Sequence, residues 1–356
     1  MQEIPHTRVQ ADLKNLGYGW STYTEKSGDN SSVMVVDTGT TPEWVPDNEP
    51  YIAKIPRPGM RHKLWREGNV VALLADGDHP PLQIPHLYEW VQWPTYAVFR
   101  KVLGQVLERS AVRRFDPDEK VQVGTKMGET IAWMANTISI ATYENEVGPG
   151  RLRPHPYFPS GRPVGEREQS LAYALTHKTE LVRRGLNSLS GLLTDLYGQY
   201  LMYEDEGVLN PTIMGHDDLH PANLAFDQNT SGAWNLGGVF DFGLFKPTTP
   251  ERELRHVYPF GDIALRAAAT AYQARRPGDR IDMALVEFWA GLQASTTYAA
   301  FELKMRDTHY SRDIRLDCAC VLSRLWPDID WSELRELQYS QNEEPPHTIP
   351  ITAEGL

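Results

Sequence analysis

The segment His216-Asp217-Asp218-Leu219-His220-Pro221-Ala222-Asn223, followed at 239–243 by Val-Phe-Asp-Phe-Gly, concentrates the groups in this sequence that can do chemistry. Moving a phosphoryl group asks little covalent help of a protein; it asks for positioned groups and neutralised charge. One carboxylate must orient an attacking hydroxyl and take its proton, while a second carboxylate and an amide hold metal ions against the phosphates. Asp218, Asn223 and Asp241 supply that set in chain order. Between them, LAFDQNTSGAWNLGGVF reads as strand, polar turn, strand, a hairpin that brings Asp241 back to Asn223.

A second set lies earlier in the chain. In Tyr51-Ile-Ala-Lys-Ile55, Lys54 sits inside an apolar strand, where an ammonium pays for desolvation unless an anion meets it. Glu67 shares a helix face with Leu64, Val71 and Leu74, so each of the two charges asks for a partner and the other is available. Taken singly, Lys54 snorkelling to solvent and Glu67 at the edge of the stripe is the plainer reading. Their order ahead of the 216–243 segment favours a lysine–glutamate pair that grips nucleotide phosphates. Gly17, Gly19 and Ser21, in Leu-Gly-Tyr-Gly-Trp-Ser, offer a loop to cover those phosphates, although a short Gly-x-Gly suits any turn. Gly104, after Lys101-Val-Leu103, reads as a hinge or as a plain turn glycine.

These residues need particular elements to place them. Residues 15–55 read as β-rich, with apolar segments SSVMVVDT and YIAKIP and a loop at 37–50. A helix is expected over about 62–76 and a strand over 95–102. Beyond Gly104 helices take over: Val123, Met127, Ile131 and Met134 form one stripe, and Leu186, Leu189, Leu193, Leu196 and Tyr200 another. Residues 147–165 read as a Pro/Gly loop. Short strands return over 213–245, and helices dominate from about 260 to 340. No internal repeat stands out.

The pattern resembles the aminoglycoside phosphotransferase family, whose relatives include choline, homoserine and fructosamine kinases and whose loop reads His-Gly-Asp-x-x-x-x-Asn. The resemblance runs from about residue 15 to 265. It implies an α+β, bilobal protein-kinase-like fold, with a small β-rich N-terminal lobe (1–103) that binds nucleotide and a larger, mainly helical lobe (104–356) that carries catalysis and acceptor. It implies Asp218 as catalytic base, Asn223 and Asp241 as Mg²⁺ ligands, and ATP or GTP as phosphoryl donor. His216 becomes the histidine that supports the loop, and Asp262, in Tyr-Pro-Phe-Gly-Asp-Ile-Ala, a buried anchor for it. The sequence departs at Asp217, where most aminoglycoside enzymes have Gly; Asp tolerates left-handed backbone better than most residues, so the turn stays feasible.

Only 20 residues separate Asp241 from Asp262, and no Ala-Pro-Glu follows, so room for a peptide platform is missing and a small hydroxylated acceptor is expected. An antibiotic such as an aminoglycoside comes first, a sugar or amino-alcohol metabolite second. Glu287, Glu302, Asp307, Asp313 and Asp317 offer carboxylates to substrate amines, or are ordinary surface charges. Two rivals from other classes remain: a kinase-like protein that binds nucleotide without turnover, and a zinc hydrolase using the His216-x-x-x-His220 spacing. The second needs one continuous helix, which Pro221 would disrupt.

Composition narrows the field. The net charge of −12 argues against a nucleic-acid backbone as partner. No apolar run approaches the length of a membrane span and no signal-peptide core opens the chain, so a cytoplasmic protein is expected. Cys318 and Cys320 are too few and too close for a disulfide framework.

Overall fold

The computed structural model describes residues 11, 13–15, 24–27, 31–36, 50–56, 60–91, 96–148, 166–304 and 309–340. Gly17, Gly19, Ser21, Asp307 and all but residues 50, 147 and 148 of the loops expected at 37–50 and 147–165 lie outside them. The fold is the expected α+β, bilobal one. A five-stranded antiparallel sheet is built from β1 (Thr24–Ser27), β2 (Ser31–Val36), β3 (Tyr51–Pro56), β4 (Leu87–Val91) and β5 (Tyr96–Arg100), in the order β1-β2-β3-β5-β4. Side chains alternate along β3 with the period of two that a strand imposes. Tyr51, Ala53 and Ile55 therefore join Tyr96 and Val98 in a small core on one face. Lys54 points to the other face, beside Phe99 and toward the helix Arg61–Ala75, whose Leu64, Val70, Val71 and Leu74 are buried.

The helical part is organised around Pro117–Thr137. It starts cleanly because Asp116 and Glu119 form a reciprocal capping box and Pro117 stands where no N–H is needed. Its expected stripe, Val123, Met127, Ile131 and Met134, is buried. So are Gly124 and Gly128, which lie so close to the helix Asp262–Arg275 that an added Cβ would come within 2.1 Å of Ala264 O and Ala268 O. The second stripe is buried along Asn187–Asp205, with Leu186 at its start. Met283–Lys304 and His309–Leu325 pack together and close the far side. Among the described residues no helix is long and apolar enough to cross a membrane.

Short strands hold the loops that matter. β6 (Ile213–Gly215) is followed by β7 (Leu224–Gln228), β8 (Trp234–Val239) and β9 (Lys246–Thr248). β7 pairs with β8 as the expected hairpin, while β6 pairs with β9. The connection between the two parts crosses at Gly104, which has φ +113° and would set a Cβ 3.0 Å from Phe226 O. That approach lets Gln105 and Phe226 exchange two backbone hydrogen bonds of 2.8 Å. A side chain here would meet both an unfavourable φ and a backbone oxygen.

Candidate active site

The chain turns at Asp217, at φ 59° one of two described residues other than glycine in left-handed backbone; the other is Asp241, at φ 66°. His216 is fully buried and donates from Nε2 to Phe240 O at 3.0 Å, tying the loop to the end of β8. Burial holds its pKa below the ordinary histidine value, which suits a neutral donor. Asn223 fixes the other side: its amide donates to Asp218 O at 2.9 Å and to Asp218 Oδ2 at 3.2 Å, and its backbone O accepts from Phe240 N. Asp218 is thereby oriented from two directions while its side chain remains about 20% exposed. Residues 216–220 are not a helix, so the His216 and His220 spacing does not present two ligands on one face. Among the described residues no group of three or more His, Cys, Asp or Glu is placed to hold a metal ion.

Lys54 and Glu67 meet at 2.7 Å, both buried. Burial works against the Lys54 ammonium, but the carboxylates of Glu67 and Asp241 outweigh it and hold its pKa above the ordinary lysine value. Asp241 Oδ1 lies 3.9 Å from Lys54 Nζ, and the Asp241 side chain keeps 42% of its surface open. Glu67 also accepts from the backbone N–H of Phe242, so the helix Arg61–Ala75 grips the turn after Asp241 as well as the β3 lysine. Lys54, Glu67, Asp241, Asn223 and Asp218 thus form a continuous row, although Lys54 and Asp241 are 187 positions apart in the chain.

A family model described as a phosphotransferase enzyme family matches residues 27–289. The chain belongs to that family. It is accordingly a phosphotransferase of the kinase type. A search of curated proteins finds no match. Among solved structures, the GDP complex of wild-type aminoglycoside 2'-phosphotransferase-IIIa aligns at TM-score 0.62 and 15% identity, covering 92% of this chain and 99% of that one. A GDP and kanamycin complex of an aminoglycoside phosphotransferase gives 0.60 and 14%, covering 90% and 99%. Macrolide 2'-phosphotransferase MphH from Brachybacterium faecium gives 0.51 and 13%, covering 91% and 99%. At these identities the likeness shows a shared fold.

Asp262 does not anchor the loop in this phosphotransferase. Its side chain is 66% exposed and its nearest cation, Arg324, is 3.8 Å away. Asp262 opens a helix, and its carboxylate stays at the surface there. The anchor is Glu253, fully buried, whose two oxygens accept from the backbone N–H groups of His216 (3.0 Å) and Asp217 (2.9 Å). Burial, and then the charge of Asp217, push the Glu253 carboxyl up to about 7. Gly215 makes this approach possible, since a Cβ there would lie 2.5 Å from Glu253 Cδ.

Asp217 is the other residue whose part was hidden. Its buried carboxylate meets Lys246 Nζ at 2.5 Å, Arg252 Nε at 3.0 Å and Arg255 at 2.7 Å. Arg252 continues to Glu168 at 2.6 Å and lies 4.6 Å over the Trp289 ring. The Asp at a position usually held by Gly was the available signal; Arg252, Glu253 and Arg255, inside the charged run PERELRH, resemble a solvated surface until folding buries them.

Asp218 and His220 open onto a cavity of about 440 Å³. Its far wall is one face of Met283–Lys304 (Ala290, Ala294, Thr297, Phe301) and one face of His309–Leu325 (Ile314, Asp317, Cys318, Val321). Of the acids expected to hold amines, Glu287 is exposed, Asp307 lies outside the described residues, and the others are paired with arginines. Glu302 meets Arg335 and Arg315, Asp313 meets Arg113, and Asp317 meets Arg109 and Arg113.

Proposed function

We propose that the chain moves the γ-phosphoryl group of ATP or GTP to a hydroxyl of a small molecule held in this cavity. The observation that carries the reading is the placement of Asp218: an oriented carboxylate on the cavity wall, at the end of the row that begins with Lys54. Asp218 accepts the hydroxyl proton as the new oxygen–phosphorus bond forms and the bond to the β-phosphate oxygen breaks, leaving a phosphate ester and a nucleoside diphosphate. Lys54, kept charged by Glu67, neutralises phosphate oxygens. The residues fit Mg²⁺: the Asn223 Nδ2 is taken by Asp218, which leaves its Oδ1 as a hard donor, and Asp241, one residue past the Phe240 N–H that bonds Asn223 O, offers an open carboxylate. Few protein ligands are what this ion takes when waters and phosphates complete its shell. Bound there, Mg²⁺ would neutralise phosphate charge.

Three features support a small acceptor. From Phe242–Leu244 the chain passes directly into β9 and the helix Pro250–Leu254, with no segment on which a peptide could lie. The cavity is closed on its far side by two helices. Structures of the same fold hold GDP with kanamycin, ATP with streptomycin, and ADP, and another is a macrolide enzyme. A hydroxylated antibiotic is accordingly the first acceptor class to test, and a hydroxylated metabolite the second. The test is release of ADP or GDP by the purified protein with Mg²⁺, across hydroxylated acceptors, beside Asp218→Ala. Release that depends on acceptor and falls at least 100-fold in the variant is expected. Near-normal turnover by Asp218→Ala, or no nucleotide binding by the parent protein, overturns the reading.

A further inference from the structure

We infer that the acceptor is a hydroxyl compound with an apolar body and no cationic group, rather than a polyamine; this rests on the cavity at Asp218 being the acceptor site. The first observation is the charge of the wall. Among the described residues two acids line the cavity, Asp218 and Asp317; of the cations beside them, Arg109 is held by Asp317 and Arg255 by the buried Asp217, so what an incoming amine could use is decided by whether Asp317 is available. Asp317 is buried and already holds two guanidinium groups: Arg109 at 2.6 Å and Arg113, which also reaches Asp313. An amine entering here would have to draw the buried Asp317 from two partners and leave largely buried guanidinium charge without its carboxylate, an exchange that runs against it. Asp218 is committed to the hydroxyl.

The second observation is the apolar surface. Among polar groups such as Gln293 and Thr297 that a ligand's hydroxyls can meet, Ala290, Ala294, Phe301, Ile314 and Val321 lie together on the far wall. Burying an apolar body against them is favourable at roughly 25 cal/mol per Å²; a polyamine would instead lose its hydration without gaining paired carboxylates. The molecule's net charge of −12 draws cations from a distance, but that field is screened beyond about 8 Å at physiological salt. Inside the cavity the local wall decides.

A matched ligand series separates the possibilities. Phenyl β-D-glucoside (neutral), phenyl β-D-glucuronide (anionic) and phenyl β-D-glucosaminide (cationic) share ring and aglycone, and kanamycin supplies a polycation. Binding to the full chain is read by ligand-observed NMR, with Mg²⁺–ADP present and absent. Thr297→Phe and Ala294→Phe each fill the cavity, and retained ADP binding certifies that a variant is folded. The expected result is that glucoside or glucuronide binds at least tenfold more tightly than glucosaminide and kanamycin, and that either variant abolishes this binding. Kanamycin or glucosaminide binding as well as or better than the others, with loss in the variants, overturns the inference. So does a series in which no member binds in a way the variants remove. Because binding is read without turnover, a protein that fails to transfer phosphate still reports the charge its cavity accepts.

Discussion

Asp217 combines two opposed effects that can be weighed. Its left-handed backbone costs an L-residue roughly 1–2 kcal/mol that glycine would not pay, yet its carboxylate compensates Lys246, Arg252 and Arg255 in a buried setting. Removing one member of a buried ion cluster costs about 3–5 kcal/mol, because the charges left behind have lost their compensation. The second effect wins. Asp217→Gly, the residue usual in the family's loop, is therefore expected to lower unfolding free energy by about 1–4 kcal/mol in urea denaturation. A neutral or stabilising outcome would show that the cluster contributes nothing. The meeting of Lys54 with Glu67 and of Asp218 with Asn223 was legible in the sequence, because a charge on an apolar strand or helix face asks for a partner and the 216–223 loop is short. Glu253 was not: an acid in a charged run carries no sign of the backbone N–H groups it will meet 36 and 37 positions away.

Elements were legible wherever period and burial coincide. The helix at Arg61–Ala75, the two apolar stripes and the β7–β8 hairpin lie within a residue or two of their expected places, since each buries one face. Gly124 and Gly128 went unread because glycine in a helix signals weakness unless the neighbour is known. Alanine at Gly128 gains about 1 kcal/mol of helix propensity, but its Cβ would stand 2.1 Å from Ala268 O, and separating two packed helices costs about 1–3 kcal/mol or more. Gly128→Ala is expected to lower Tm by several degrees, and a raised Tm would mean the helix pair relaxes freely. The same reasoning applies to Gly215, whose missing side chain is the space Glu253 occupies.

At the scale of the molecule, the row from Lys54 to Asp218 spans both parts, so a ligand that bridges it should tie them together. Under the proposed function, Mg²⁺–ATP at 100 times its Kd stabilises the native state by about 2.7 kcal/mol. A rise in Tm that requires both Mg²⁺ and nucleotide is expected, and Asp241→Ala should remove it while leaving the nucleotide-free Tm within a degree or two. An equal rise in the variant would take Asp241 out of the metal site. Family, fold class and the pairing of Lys54 with Glu67 follow from the chain alone, because amphipathic elements and charges placed among apolar residues restrict residue type at local spacing. The loop anchor, the exposure of Asp262 and the charge of the cavity wall did not follow. Each depends on which side chains from distant segments share a buried volume, and burial alone turns Asp317 from a surface acid into one already held by two arginines.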